Sequence, residues 1–87
     1  MNEMTEEQIK KQQEFLERAK KGVLSFLNEK GGTLQLSQLH EFSLNKYLIQ
    51  HQRFSQLMES CVDGGLVIYD FATQDVTLSE AGKKFIV

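Results

Sequence analysis

Apolar residues along the chain recur with two different periods. Ile9, Leu16, Ala19, Val23, Phe26 and Leu27 fall at helical spacing. Ahead of them, Thr5-Glu6-Glu7-Gln8 has the form of a capping box, a hydroxyl followed three residues later by an amide side chain. Glu6 and Glu7 suit the positive end of a helix, and Gly31-Gly32 after Lys30 supplies a stop. These signals predict one helix over Thr5–Glu29. Gly22 inside it costs about 1 kcal/mol relative to Ala, and would let a neighbouring helix approach closely.

Thr33-Leu34-Gln35-Leu36 alternates and predicts a very short strand. Ser37 is then a candidate N-cap for a short second helix containing Leu39 and Phe42. Ser43 and Asn45 suggest an interruption, the other option being a continuous helix to Ile49. Phe54, Leu57, Met58, Cys61 and Val62 stand at i, i+3, i+4, i+7 and i+8, one apolar stripe on a third helix over about residues 50–62. Asp63-Gly64-Gly65 ends it. Leu66, Ile68 and Phe71 mark a strand over Leu66–Phe71. Ala72-Thr73-Gln74-Asp75 reads as a turn and Val76-Thr77-Leu78 as a returning strand. Ser79-Glu80-Ala81-Gly82 opens a last short helical turn, with Phe85 and Ile86 packing back.

A chain of 87 residues allows a single domain. Its longest apolar run, Leu66–Tyr69, is far below the ~20 residues of a membrane span, and MNEMTEEQIKK is too polar for a secretory signal. The lone cysteine, Cys61, argues for a reducing, cytoplasmic setting, because small secreted domains usually carry paired cysteines. The net charge is −2, and its distribution says more. No acid occurs between Phe42 and Met58, whereas Asp63–Val87 holds four acids against Lys83 and Lys84. Any nucleic-acid signal is therefore local.

The predicted order is helix, short strand, helix, helix, hairpin. Leu57-Met58-Glu59-Ser60-Cys61-Val62-Asp63-Gly64-Gly65-Leu66-Val67 looks like the end of a recognition helix passing through a glycine turn into a wing strand. Val76-Thr77-Leu78-Ser79-Glu80-Ala81-Gly82-Lys83-Lys84-Phe85 looks like the second wing strand followed by a leucine–hydroxyl–acid–any–glycine step. Together they resemble the winged helix-turn-helix superfamily over roughly Val23 to Ile86, with no particular family indicated. The resemblance implies an α+β, mostly helical fold: a small winged helix over residues 33–87 behind an extended N-terminal helix.

It also implies a third helix that lies in the DNA major groove. With the apolar stripe used by the core, Gln50, His51, Gln52, Arg53, Ser55, Gln56, Glu59 and Ser60 face outward. Arg suits guanine, Gln suits adenine and Ser suits a base or a phosphate. Lys46 upstream, and Lys83 and Lys84 beyond the wing, are candidate phosphate contacts. Polar residues also occupy such a face simply because it is wet. The wing opposes the DNA reading, since Asp70, Ala72, Thr73, Gln74 and Asp75 offer no cation and two carboxylates. A DNA-binding dimer would double the phosphate contacts. The long first helix, with Ile9, Gln12, Leu16, Ala19 and Val23 along one face, could supply it, or its start could be a solvated end.

Other chemistry lacks its residues. Cys61, His40 and His51 are too few for a structural zinc and are expected on different elements, with Cys61 as a core hydrophobe. Asp70 and Asp75 flank a turn, where Asp bonds backbone. Neither Gly31-Gly32 nor Gly64-Gly65 has the lysine and spacing of a phosphate loop. Tyr47, Tyr69 and the six Phe fit core and rim. The chain therefore reads as no enzyme, with no cofactor. It is either a DNA-binding transcriptional regulator or a winged-helix protein-interaction and dimerisation module.

Overall fold

The computed structural model describes residues 5–87. In order, its elements are α1 (Glu6–Glu29), β1 (Thr33–Gln35), α2 (Leu36–Tyr47), α3 (His51–Asp63), β2 (Val67–Tyr69), β3 (Asp75–Leu78) and α4 (Glu80–Ile86). This is a winged helix: α2 and α3 form the helix-turn-helix, and β2 and β3 form the wing. The strands make an antiparallel sheet of order β1-β3-β2, with Leu34 opposite Val76 and Val76 in turn opposite Tyr69. Thr33 and Thr77, also opposite one another, join their hydroxyls at 3.1 Å.

α1 starts as expected. Thr5 Oγ1 accepts from the Gln8 amide at 3.2 Å, and Gln8 Oε1 accepts from the Thr5 amide at 3.0 Å. Its C-terminal half supplies Ala19, Val23, Leu24 and Leu27 to the core. They meet Leu39 of α2, Ile49, the α3 residues Phe54, Leu57, Met58 and Cys61, and Val67, Val76 and Leu78 of the wing. Residues 5–14 are all exposed, so α1 projects from the domain and sets its 42 Å long axis.

α2 starts earlier than the sequence expectation, and of the two options for its end it takes the continuous one, closing just short of Ile49. Its N-cap is Gln35, not Ser37. The Gln38 side chain accepts from the Gln35 amide at 3.0 Å, and the Leu36 amide donates to Gln74 O at 2.9 Å, so the wing turn just ahead of β3 fixes where the helix starts. Nor does Ser43 interrupt it. That residue is fully buried, and its hydroxyl donates to His40 O within the helix at 2.9 Å. The stop comes at Leu48, which takes a left-handed conformation with φ 58°, and its amide closes on Leu44 O at 3.0 Å.

Tyr47, in the last turn of α2, lies on Gly22 of α1 so closely that a Cβ at Gly22 would collide with its hydroxyl. Gly22 thus serves the close approach expected of it. Phe26 of α1 stacks on Phe42 of α2 with centroids 4.0 Å apart.

The first wing strand is shorter than Leu66–Phe71, covering Val67–Tyr69, and its buried residue is not one of the three that marked it. Val67 is buried, Ile68 is exposed, and Phe71 is 86% exposed, neither core nor rim. Backbone bonds on both sides of Leu66 set this phase: its amide donates to Cys61 O at 2.9 Å, and its carbonyl accepts from Ser79 N at 3.0 Å. Val62, expected on the apolar stripe, is 41% exposed. At the wing tip, Asp70 Oδ1 accepts from the Ala72 amide at 2.9 Å, the backbone role expected of a turn aspartate.

The Leu78-Ser79-Glu80-Ala81-Gly82 step has a structural cause. Ser79 Oγ accepts from the Gly82 amide at 3.0 Å, capping α4, and its hydroxyl donates to Gly65 O at 2.6 Å. Gly82 is buried directly against the Leu66 carbonyl, where a side chain has no room. One serine and one glycine therefore lock α4, the wing and the turn after α3 together.

Candidate nucleic-acid interface

α3 runs 13 residues, and Phe54, Leu57, Met58 and Cys61 tie one side of it to the core. The 3.6-residue period divides the rest into three lanes. Gln52, Gln56, Glu59 and Asp63 form the outermost lane, opposite the core. Ser55, with His51 before it and Val62 after it, looks toward the wing and lines a groove there, whose edge Glu59 and Asp63 of the outermost lane also reach. Arg53 and Ser60, seven residues apart, share the third lane, which turns toward α1. Lys20 Nζ of α1 donates to Ser60 Oγ at 2.9 Å and lies 3.5 Å from Glu17.

These positions sort the sequence candidates. Gln52 and Gln56 project outward from the first two turns of α3, and both are exposed with no hydrogen bond from their side chains among the described residues. Gln50 is the exposed N-cap of α3, and His51 is its first residue. Arg53 is exposed and forms no ion pair among the described residues, but it sits on the flank rather than the crest. Ser60 is engaged by Lys20. Glu59 and Asp63 make the second half of the crest acidic.

Lys46 is exposed in the last turn of α2 and lines a shallow hollow with Phe26, Glu41 and Phe42, on the side of α2 facing α1. Lys83 and Lys84 lie on α4, which packs against α1. Lys83 is paired with Glu80 at 3.2 Å. The three lysines are therefore spread along the flanks, and none lines the groove between α3 and the wing.

Two features could not be read from the chain. Lys20 reaches Ser60 of α3 while its ammonium lies 5.9 Å from the Phe85 ring of α4, so one partly buried cation spans three helices. His40 and His51 meet with ring centroids 5.4 Å apart, T-shaped, across the helix-turn-helix. The His40 Nε2 atom is buried with no hydrogen-bond partner among the described residues. The separation of Cys61, His40 and His51 onto different elements is corrected in one respect, because His51 and Cys61 both belong to α3. Among the described residues, no group of three or more His, Cys, Asp or Glu converges on a metal-sized site. Cys61 is fully buried, and burial pushes its thiol from 9.0 up to about 11, with nearby Lys20 pulling the other way. It is an inert part of the core rather than a nucleophile.

No helix among the described residues is long and apolar enough to cross a membrane. No family model matches the chain, and no curated protein matches it. Among solved structures, the chain is similar to a "putative transcriptional regulator protein from Pseudomonas aeruginosa PA01", with a TM-score of 0.62 and 21% identity. The likeness covers 77% of this chain and 46% of that one, so the chain spans about half the length of the structure it matches. At that identity, what the two share is the fold.

Proposed function

We propose that this chain is a DNA-binding winged-helix protein of the transcription-regulator kind, presenting the first two turns of α3 to the major groove. The observation that carries the reading is the neutral, hydrogen-bond-capable crest of Gln52 and Gln56, with Ser55 beside it, at the N-terminal half of the second helix of a helix-turn-helix. Both Gln side chains are uncommitted within the described protein and suit adenine edges. The fold likeness to a protein named as a transcriptional regulator supports the same reading.

In this arrangement Gln50 and His51 open the helix at the groove floor. Arg53, on the flank, and Lys46, at the end of α2, take phosphates, and Lys83 and Lys84 approach the backbone from α4. The acidic wing stands off the duplex. Few cations engage, so a monomer binds weakly and a homodimer through α1 strengthens it.

The test is a two-dimensional amide NMR titration with a mixed-sequence duplex, at low and then physiological salt. Shifts confined to Lys46 and Gln50–Gln56 that fade as salt rises are expected. With a site selected from random DNA, Gln52→Ala costs about 1–3 kcal/mol at that site, whereas Arg53→Ala weakens all sequences alike and lowers the salt slope by about 1. A spectrum that stays silent at low salt removes the reading.

A second reading, a protein-interaction or dimerisation module without DNA binding, is favoured by two observations. The wing carries a bare Phe71 among carboxylates, and residues 5–14 of α1 are exposed along their whole length. It expects self-association that deletion of residues 1–13 abolishes without unfolding the domain. An assembly that survives the deletion excludes α1 as the interface.

A further inference from the structure

The wing and α3 do not close on one another. Between them and the start of α2 lies a groove of about 580 Å³, inside the ~300–1,000 Å³ range of small-molecule sites. Leu36, Phe54, Met58, Val62, Tyr69 and Phe71 give it apolar walls. On the wing side, Tyr69 and Phe71 meet edge to face with centroids 4.7 Å apart. An apolar groove left open in this way accommodates many ligands. The charges around it narrow the choice.

No Lys or Arg among the described residues lines the groove, whereas Glu59 and Asp63 both do. They stand one helical turn apart, an unfavourable like-charge pair. They also sit in the C-terminal part of α3, where the helix dipole already disfavours negative charge. The last turn of α3 holds no basic residue. Neither carboxylate has an ion-pair partner among the described residues. One wall of an apolar, partly aromatic groove thus carries two uncompensated negative charges. A cation seated there relieves the repulsion between them and the opposition of the dipole together, and aromatic faces attract cations as well.

We propose that the groove between α3 and the wing binds a small amphiphilic organic cation, an aromatic or alkyl ammonium or phosphonium. Its apolar body lies against Phe54, Met58 and the Tyr69–Phe71 pair, and its charge lies at Glu59 and Asp63. The opposite end of the groove holds Ser37, His40 and His51. The proposal stands apart from the DNA reading, and its test contains no nucleic acid.

Tetraphenylphosphonium and tetraphenylborate are nearly isosteric ions of opposite charge, and they separate charge recognition from plain greasiness. Amide NMR titration of the full chain at pH 8 with the phosphonium should give saturable shifts at His40, Ser55, Met58, Glu59, Val62, Tyr69 and Phe71. The borate should give none. The double variant Glu59→Gln/Asp63→Asn should bind the phosphonium about five- to tenfold more weakly. It should also melt higher than the parent protein, because it removes the like-charge pair and the dipole conflict, so lost binding cannot be lost folding. Any of three results overturns the proposal: no saturable shift up to millimolar phosphonium, borate bound as tightly as phosphonium, or undiminished binding by the double variant.

Discussion

Gly82 and Gly22 are both helical glycines with neighbours closer than a methyl group allows, and they should respond differently to the same change. At Gly82 a Cβ would collide with the Leu66 carbonyl oxygen and lie 2.6 Å from Leu78 Cδ1. The carbonyl cannot step aside, because it accepts the Ser79 amide at 3.0 Å while Ser79 also holds Gly65 and caps α4. Overpacking a rigid site costs about 1–3 kcal/mol, and the upper end applies where the obstacle is backbone. Alanine recovers up to about 1 kcal/mol of helix propensity. The net loss for Gly82→Ala is therefore about 2 kcal/mol, or roughly 8–16 °C of melting temperature for a domain this small. At Gly22 the obstacle is the Tyr47 hydroxyl, the far end of a half-buried side chain. That ring can swing, at a cost that the gain in propensity largely cancels, so Gly22→Ala should stay within about 1 kcal/mol of the parent. Urea unfolding of the three proteins, followed by circular dichroism, measures both values. If Gly82→Ala proves as stable as the parent, or less damaging than Gly22→Ala, the Ser79–Gly82 lock does not hold the wing as described.

Two further outcomes follow from single groups. Because the Cys61 thiol is raised to about 11 from 9.0, its contribution is complete below pH 9 and is lost as pH rises to 11, an extra fall of about 2–3 kcal/mol. Denaturant unfolding at pH 8 and pH 11 should show that fall in the parent and not in Cys61→Ala. Leu48→Gly should stabilise by about 0.5–1 kcal/mol, because relief of the left-handed conformation exceeds the entropy that glycine adds, and a residue 79% exposed has little packing to lose. Thermal melts that show Leu48→Gly less stable would mean that the Leu48 side chain is held by contacts it does not make here.

How much of this was legible in the chain depended on whether local chemistry or distant packing made the decision. α1 was readable because Thr5 and Gln8 cap it locally and a glycine pair stops it. α3 was readable from its stripe alone. The order of elements, and with it the winged-helix fold, followed. The sequence left the continuity of α2 open between an interruption at Ser43 and a run to Ile49, because Ser43 remains in the helix by bonding back to His40 O in a site that the rest of the fold buries. A three-residue strand gives too few alternations to fix its phase, so the burial of Val67 and exposure of Ile68 come instead from the backbone bonds of Leu66 to Cys61 and Ser79. In the candidate interface, the outward set on α3 was right as a set. Its division into crest, groove wall and α1-facing flank depended on Lys20 reaching Ser60 and on where the wing stops. The groove had no signal of its own, since its walls come from three elements.

The distribution of charge along α3 connects its two ends. The first turn carries no acid, which leaves the positive end of its dipole open beside Gln52 and Gln56, while Glu59 and Asp63 hold the negative end. On the proposed DNA face these carboxylates share the crest with the two reading glutamines, so they repel the same phosphates that Arg53 and Lys46 attract. Along the axis, Glu59 lies about 5 Å from Gln56 and Asp63 about 11 Å from it, so at physiological salt, with a Debye length of about 8 Å, the nearer charge is screened only in part and the farther one more strongly. Neutralising them should therefore raise DNA affinity, by about three- to tenfold for the pair if each is worth about 0.3–0.7 kcal/mol at this exposure. A cation in the groove should have the same sign of effect, and by linkage DNA should tighten the cation equally. Fluorescence anisotropy of a labelled duplex against the parent and Glu59→Gln/Asp63→Asn, at two salt concentrations, reads the first half directly. An unchanged affinity in the double variant would mean that the C-terminal half of α3 points away from the duplex. The groove and the reading face would then be independent surfaces of one helix rather than a coupled pair.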